Sequence, residues 1–328
     1  MSQPDETPIV CTVNLPRLSV AGTQLTAGGQ PLRLRGVNRS SFQYLGSLAE
    51  SGMADPREEL TIWRNDWGAQ IIRFPVFPDR YLREPRHREE LEQVIRAAGE
   101  VGVYLILEFH GLQPDYQLKL PRDPARQVWE IFARRYGGLA HVAFDLWNEP
   151  HNCSWRDWQR AAQPLIDAIR AAGATETLIV VGGLDWAYDL SALSDPGNRL
   201  SGGPLAYATH PYPFKGGPAH GRAEWDRFFG NVAREVPVLV TEFGADQFGD
   251  GFFSNEADTA AWLRLFLEYV DERGLTALAW SGGDRPHLTL GRDGGRVDPG
   301  KNPPDVRTAS APFGEIVRAW LRAGLAVA

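Results

Sequence analysis

VAFDLWNEP, residues 142–150, is the stretch on which the reading of the fold turns. Its opening is mostly apolar and reads as a buried strand. The run then delivers Asn148 and Glu149, an amide and a carboxylate, and Pro150 forbids its continuation. A buried strand that ends on two adjacent polar groups has something at that end to serve.

Seven further runs share the pattern. They are LRLRGVN (32–38), QIIRFPV (70–76), YLILEFH (104–110), TLIVVGG (177–183), LAYATHP (205–211), VPVLVTEFG (236–244) and LTALAWSG (275–282). They recur at the length of one strand, one helix and two loops. Most of the intervening segments carry helical spacing. In 84–101, Leu91, Val94, Ile95 and Ala98 share one face and Gly102 follows as a stop. In 154–172, Trp155, Trp158, Leu165, Ile166 and Ile169 do the same between Ser154, an N-cap, and Gly173. In 254–273, Trp262, Leu265, Phe266 and Tyr269 repeat it before Gly274. The segment WAYDLSALS after the fifth strand has room for a turn of helix only.

Eight such units in series predict an α/β fold of the (β/α)8 TIM-barrel class. A doubly wound sheet is the rival, but it needs no eighth strand and places a Gly-rich phosphate loop after its first. Here the first strand runs into GVNRSSF. Residues 17–31, RLSVAGTQLTAGGQP, read as a short N-terminal β-hairpin before the first barrel strand, plugging the bottom of the barrel. The domain reading is an N-terminal extension over 1–16, expected to be poorly ordered, and a single catalytic domain over 17–328.

The totals bound the function without naming it. The chain has 328 residues, 43% hydrophobic and 23% charged, with a net charge of −7. That balance is ordinary for a soluble globular protein and argues against a nucleic-acid or anionic-membrane surface. Cys11 and Cys153 lack metal or CxxC spacing and are expected to be free thiols. No run approaches a membrane span, and residues 1–16 lack the basic and apolar regions of a leader. The protein is expected in the cytoplasm, or outside the cell if a leader has been removed.

In a barrel of this kind the C-terminal strand ends form the active face. That rim reads Asn38, Arg73, His110, Asn148 with Glu149, Asp185, His210 with Tyr212, Glu242 and Trp280. Singly, each has an ordinary structural reading: Arg73 a satisfied buried charge, His110 a hydrogen-bonded core histidine, Asn38 a turn former. Glu149 and Glu242 are harder to dismiss, because a carboxylate at the end of an apolar strand is costly unless something uses or neutralises it. They end the fourth and seventh strands, facing across the mouth. Two facing carboxylates are what glycosidic bond cleavage needs, one to protonate the leaving oxygen and one to attack or to activate water. Arg73 and Tyr212 could hold Glu242 ionised and aimed, and Asn148 is suited to a sugar 2-hydroxyl.

These residues resemble glycoside hydrolase family 5, cellulase-like members of the clan of (β/α)8 retaining glycosidases. The carriers are RLRGVN (33–38), IIRFP (71–75), LILEFHG (105–111), NEP (148–150), HPY (210–212), TEFG (241–244) and AW (279–280), in order on successive strands. The resemblance implies that Glu149 is the acid/base and Glu242 the nucleophile of a double displacement with retention. Arg73, His110, Asn148, His210, Tyr212 and Trp280 match the family's supporting residues, with no cofactor and no metal; Asn38 on the rim and Trp186 beside it complete the expected substrate-binding set. Two departures stand out. Many members carry Asp where Glu108 stands, and alternation puts Glu108 on the side of His110. The loop after the eighth strand, SGGDRPHLTLGRDGGRVDPG, is long and lacks the further tryptophan often found there. Asp284, Asp293 and Asp298 in it lack calcium-loop spacing.

Sugar faces stack on aromatic rings, and the chain has 11 tryptophans. Trp63, Trp67, Trp129, Trp262 and Trp320 fall on helix faces and are expected in the core. Trp147, Trp155, Trp186, Tyr188 and Trp280 lie where a groove would run, with Trp186 and Trp280 the expected platforms; for Trp155 and Trp158 helix packing is an equally good reading. GGLDWAYDLSAL and YATHPYPFKG resemble the corresponding stretches of bacterial β-1,4-glucanases, so the expected function is an endo-β-1,4-glucanase, a monomer acting on a β-linked polysaccharide or oligosaccharide. The alternatives are a β-mannanase or other β-glucan hydrolase of the family, or a non-catalytic carbohydrate-binding barrel. Transglycosylation would use the same intermediate.

Overall fold

All eight predicted strands form, and they close on themselves. The computed structural model describes residues 6–11, 13, 15–110, 120, 121, 123–215, 221–245, 256–283, 287–298 and 300–325. A three-stranded antiparallel sheet of β1 (Leu18–Ala21), β2 (Gln24–Ala27) and β3 (Gln30–Pro31) precedes the barrel. The barrel strands are β4 (Arg35–Asn38), β5 (Ile71–Val76), β6 (Tyr104–Phe109), β7 (Val142–Asp145), β8 (Ile179–Gly182), β9 (Leu205–Thr209), β10 (Val238–Phe243) and β11 (Thr276–Ala279). Each pairs in parallel with its neighbours and β11 returns to β4, closing the ring.

Alternation divides the barrel into two cores. Ile71, Ile106, Ala143, Val180, Leu239 and Leu278 face inward and meet Leu18, Leu25 and Ala27 of the N-terminal sheet, which covers the bottom. Ile72, Leu105, Phe144, Val181, Val240 and Ala277 face outward and pack under the helices. Gly36 shows how closed the interior is: a Cβ there would lie 2.0 Å from the Ile71 carbonyl oxygen.

The helices are α1 (Pro56–Ile62), α2 (Pro78–Arg83), α3 (Pro85–Val101), α4 (Asp123–Tyr136), α5 (Trp155–Ala171), the single turns α6 (Leu184–Ala187) and α7 (Arg222–Trp225), α8 (Glu256–Arg273) and α9 (Phe313–Leu325). Helix α3 ends on Gly102 at φ +78°, a left-handed cap that costs glycine little. Ser154 caps α5 by accepting from Asp157 N. Trp63, Trp67, Trp129, Trp158, Trp262 and Trp320 are buried beneath these helices, as their spacing predicts. None of the described helices is long and apolar enough to cross a membrane.

The long loop after β11 holds a two-stranded antiparallel sheet, β12 (Thr289–Gly291) with β13 (Pro304–Ala309), which the sequence did not announce. Asp293 accepts from Gly295 N at 2.7 Å and Asn302 Nδ2 at 2.6 Å, and Asp298 pairs with Lys301. Asp284 lies outside the described residues. In the N-terminal extension, Ile9 is buried and its N–H donates to Arg135 O at 3.1 Å, while Arg134 pairs with Glu6. Residues 6–11 therefore have tertiary anchors that their composition does not show. Cys11 and Cys153 are free thiols.

Candidate active site

The C-terminal mouth of the barrel is built around Arg73. It projects inward from β5, fully buried, and every nitrogen of its guanidinium is engaged. Nε donates to Asp145 Oδ2 at 2.9 Å, Nη1 to Asn38 Oδ1 at 3.0 Å and Glu242 Oε1 at 2.7 Å, and Nη2 to Asn148 Oδ1 at 3.0 Å. Glu108 Oε2 lies 3.7 Å from Nη2. A planar fork of five donors can hold four strands in register in this way.

Glu242 reaches the mouth through an irregularity in β10. The register with β11 shifts between Val240 and Phe243, as at a β-bulge. Thr241 and Glu242 consequently both serve the interior: Thr241 Oγ1 lies 2.9 Å from His210 Nε2, and Glu242 Oε2 accepts from Tyr212 Oη at 2.7 Å. Burial first, then the charges of Glu242 and Glu149, push the Tyr212 hydroxyl well above its usual range. It therefore stays a proton donor to Glu242.

Glu149 lies beyond the end of β7, since the strand stops at Asp145 rather than running to residue 148. The chain stays tied to β6 past that point, through Asn148 N to Phe109 O at 3.0 Å. Glu149 is partly exposed at the mouth, its side chain 24% accessible. Its Oε1 lies 3.1 Å from His210 Nδ1 and 3.4 Å from Lys215 Nζ. Burial works to raise this carboxyl, but the Lys215 charge, followed by the His210 hydrogen bond, brings it down to about 2.

Beneath the mouth, three carboxylates surround one guanidinium. Burial raises Asp145 to about 7, against the pull of the Arg73 charge and with a further push from the charges of Glu108 and Glu242. His110 Nδ1 lies 3.1 Å from Glu108 Oε2; burial opposes protonation there, but the Glu108 charge raises the imidazole above its ordinary value. Glu108 is thus a partner for both Arg73 and His110, deep inside the barrel. An oxygen each of Glu149 and Glu242 and a nitrogen of His210 lie within 4.8 Å of one another. The chain supplies its own cations to these oxygens, Lys215 and Arg73, so the cluster reads as ion-paired carboxylates rather than a metal site.

Of the residues expected from sequence, Asn38, Arg73, His110, Asn148, Glu149, His210, Tyr212, Glu242 and Trp280 come together at the mouth. Trp280 is buried and stacks against His110 with ring centres 6.0 Å apart. Trp186 is 40% exposed and lies flat on His151, centres 4.8 Å apart and planes 5° from parallel. His151 Nδ1 is 2.7 Å from the Glu149 carbonyl oxygen, which ties this ring pair to the backbone of Glu149. Asp185 is exposed on the same turn, where Asp185, Trp186 and Ala187 all adopt left-handed φ of +53° to +59°. Such backbone strain in non-glycine residues gathers at functional sites. Trp147 and Tyr188, candidates for the groove, are buried in the packing between barrel and helices instead.

Four residues at the mouth were not singled out from sequence. Asp145 was legible by alternation, two residues after the inward Ala143. Lys215, Tyr44 and Phe214 lie in loops, where no periodicity points; the last two are 38% and 53% exposed. Phe214 stacks on Tyr212, and Tyr44 meets Phe77 and His110 edge-on.

A closed parallel barrel with this polar C-terminal mouth places the chain among the TIM-barrel proteins that gather their chemistry at the strand ends. A family model, Cellulase (glycosyl hydrolase family 5), matches residues 25–285. The chain belongs to that family. It is 25% identical over 303 residues to Endoglucanase A of Evansella cellulosilytica, covering 90% of this chain and 57% of that one. It is 26% identical over 303 residues to Endoglucanase N of Pectobacterium atrosepticum, covering 90% and 63%. The chain therefore spans less than two thirds of these relatives. Among solved structures, the β-glucanase SdGluc5_26A of Saccharophagus degradans superposes with a TM-score of 0.78 at 23% identity, over 99% of this chain and 98% of that one. The catalytic domain of Thermobifida fusca endoglucanase Cel5A (E5), in complex with cellotetraose, gives 0.72 at 26% identity, over 93% and 97%.

Proposed function

We propose that the chain is a retaining endo-β-1,4-glucanase that hydrolyses β-1,4-glucan by double displacement, acting as a monomer. One observation carries the reading. An oxygen of Glu149 and an oxygen of Glu242 lie within 4.8 Å, the short separation that goes with retention. Retaining pairs stand about 5–5.5 Å apart, whereas inverting pairs leave roughly 6.5–9.5 Å for a water.

In this reading Glu242 is the nucleophile. Arg73 and Tyr212 each donate to one of its oxygens, which fixes the orientation of the carboxylate. Glu149 gives its proton to the glycosidic oxygen as the bond between that oxygen and the anomeric carbon breaks and the bond to Glu242 forms. It then takes a proton from the water that breaks the glycosyl–enzyme bond. Asn148 commits its amide oxygen to Arg73; its Nδ2 is left to donate to the sugar 2-hydroxyl, a contact that strengthens at the transition state. Trp186, 40% exposed beside Glu149, offers a sugar platform, while Trp280, buried against His110, bounds the site. The endoglucanase names of the relatives support glucan over other β-glycans.

A panel of carboxymethylcellulose, barley β-glucan, lichenan and mannan tests the substrate. Cleavage of the glucans supports the reading, and activity confined to mannan overturns it.

A further inference from the structure

Lys215, in the loop after β9, has no step in the mechanism above, yet it touches the groups that do. Its side chain is 7% exposed. Its backbone N–H donates to Tyr212 O at 3.0 Å, and its ammonium lies 5.4 Å from the centre of the Tyr212 ring. Nζ donates to the Trp186 carbonyl at 2.5 Å and lies 3.4 Å from Glu149 Oε1. The first contact is tight and the second loose, so the carbonyl is the anchor and the carboxylate is the partner that can be released. An ammonium has three protons to place, and Trp186 carries both the anchor and the exposed ring beside Glu149. A sugar lying on that ring brings its hydroxyls within reach of Nζ.

We propose that Lys215 is a positioning residue that changes partners as the leaving-side sugar comes and goes, lying against Glu149 while that side is empty and turning to the sugar hydroxyls when it is filled. This rests on the assignment of Glu149 as acid/base. The chemistry requires Glu149 to carry a proton in the first step and to be a carboxylate in the second. A filled leaving side draws the cation off and lets the proton in. After the leaving sugar departs, the cation returns and Glu149 faces the incoming water as an anion. The low position of Glu149 beside the Lys215 charge accords with this. The other charged and titratable groups around it are His210 at 3.1 Å, His151 on the Glu149 backbone carbonyl at 2.7 Å, His110 above its ordinary value, Glu242 reached through His210 at 3.7 Å, Tyr212 bonded to Glu242, and Arg73 bonded to the adjacent Asn148. His151 meets the Trp186 ring and the Glu149 backbone, whereas Lys215 joins the Trp186 carbonyl to the Glu149 carboxylate itself.

The test is the pH dependence of kcat/KM for wild type, Lys215→Met and Lys215→Arg. One substrate is a cello-oligosaccharide that spans both sides; the other is an activated aryl β-cellobioside whose leaving group needs no proton. For the oligosaccharide, Lys215→Met should move the alkaline limb up by about one to three pH units, the range set by a neighbouring opposite charge. Lys215→Arg should leave the limb where wild type has it, and the aryl substrate should show no such displacement. Should the Met variant not fold, Lys215→Gln, which keeps a donor for the Trp186 carbonyl, carries the same expectation. Superimposed profiles with only a raised KM would make Lys215 a simple substrate grip and overturn the proposal. Glu149→Gln, run alongside, separates the two levels. If it hydrolyses the oligosaccharide at the wild-type rate, the acid/base assignment itself has failed; if it does not, a flat Lys215 result counts against Lys215 alone.

Discussion

Arg73 Nη1 lies 2.7 Å from Glu242 Oε1, deep in the barrel, with both side chains almost fully out of solvent. The same guanidinium holds Asn38 on β4, Asp145 on β7 and Asn148 beyond it. The aim of Glu242 is therefore set by four strands at once. A lysine could supply the charge but not the fork. For Arg73→Lys we expect kcat on soluble glucan to fall at least about a hundredfold. Melting temperature should fall too, since breaking a buried ion pair costs about 3–5 kcal/mol. Wild-type kcat in a folded Arg73→Lys protein would contradict this.

Tyr212 offers a cleaner test of the same carboxylate. Removing its hydroxyl takes one donor from Glu242 and leaves the ring under Lys215 in place. Tyr212→Phe should lose about 10²-fold in kcat with little change in KM. Steady-state kinetics decides: a rise in KM at constant kcat would mean that Tyr212 grips substrate and does not position Glu242.

Trp186 is expected to act through binding. Its exposed face is free to stack a sugar, and burying such a face is worth about 1.5–3 kcal/mol. In Trp186→Ala, kcat/KM for long cello-oligosaccharides should fall roughly ten- to a hundredfold. An activated aryl β-cellobioside, which does not fill the leaving side with sugar, should be much less affected. Equal losses on both would place Trp186 elsewhere in the cycle.

Asp145 makes stability depend on pH in a direction opposite to that of an ordinary paired carboxylate. Its folded position near 7 lies above the value of about 3.9 in an unfolded chain. Between these values the native state holds a proton that the unfolded chain has lost, so this group lowers stability as pH rises from about 4 to 7. Asp145→Asn removes that dependence. The stability difference, variant minus wild type, should grow by an amount on the order of a few kcal/mol between pH 4 and 8 in urea unfolding. Parallel curves would show that Asp145 stays ionised throughout.

The barrel was legible because its strands are short apolar runs at regular intervals, and closure follows once there are eight. The carboxylates at the mouth were legible because Glu149 and Glu242 interrupt such runs where nothing apolar can use them. The bulge in β10 was not. It depends on register with β11, which no local pattern in VPVLVTEFG records, and it is what lets Thr241 and Glu242 both serve the interior. Lys215 was missed for a related reason: its role comes from a loop folding back onto the Trp186 carbonyl. Asp145 was missed although alternation marked it, because FDLWNEP drew the eye to its end. The β12–β13 sheet is short and sits in a Gly-rich segment, where strand propensity is weak.

The assignment of Glu149 and Glu242 is tested most directly by azide rescue of Glu149→Ala and Glu242→Ala on an activated aryl β-cellobioside, with the product's anomeric configuration read by NMR. Without its acid/base the enzyme still forms the glycosyl–enzyme, and azide attacks from the face the leaving group left. Without its nucleophile, azide attacks from the opposite face directly. The account predicts a β-glycosyl azide from Glu149→Ala and an α-glycosyl azide from Glu242→Ala. The reverse pairing would exchange the two roles, and an active Glu242→Ala without azide would remove Glu242 from the chemistry.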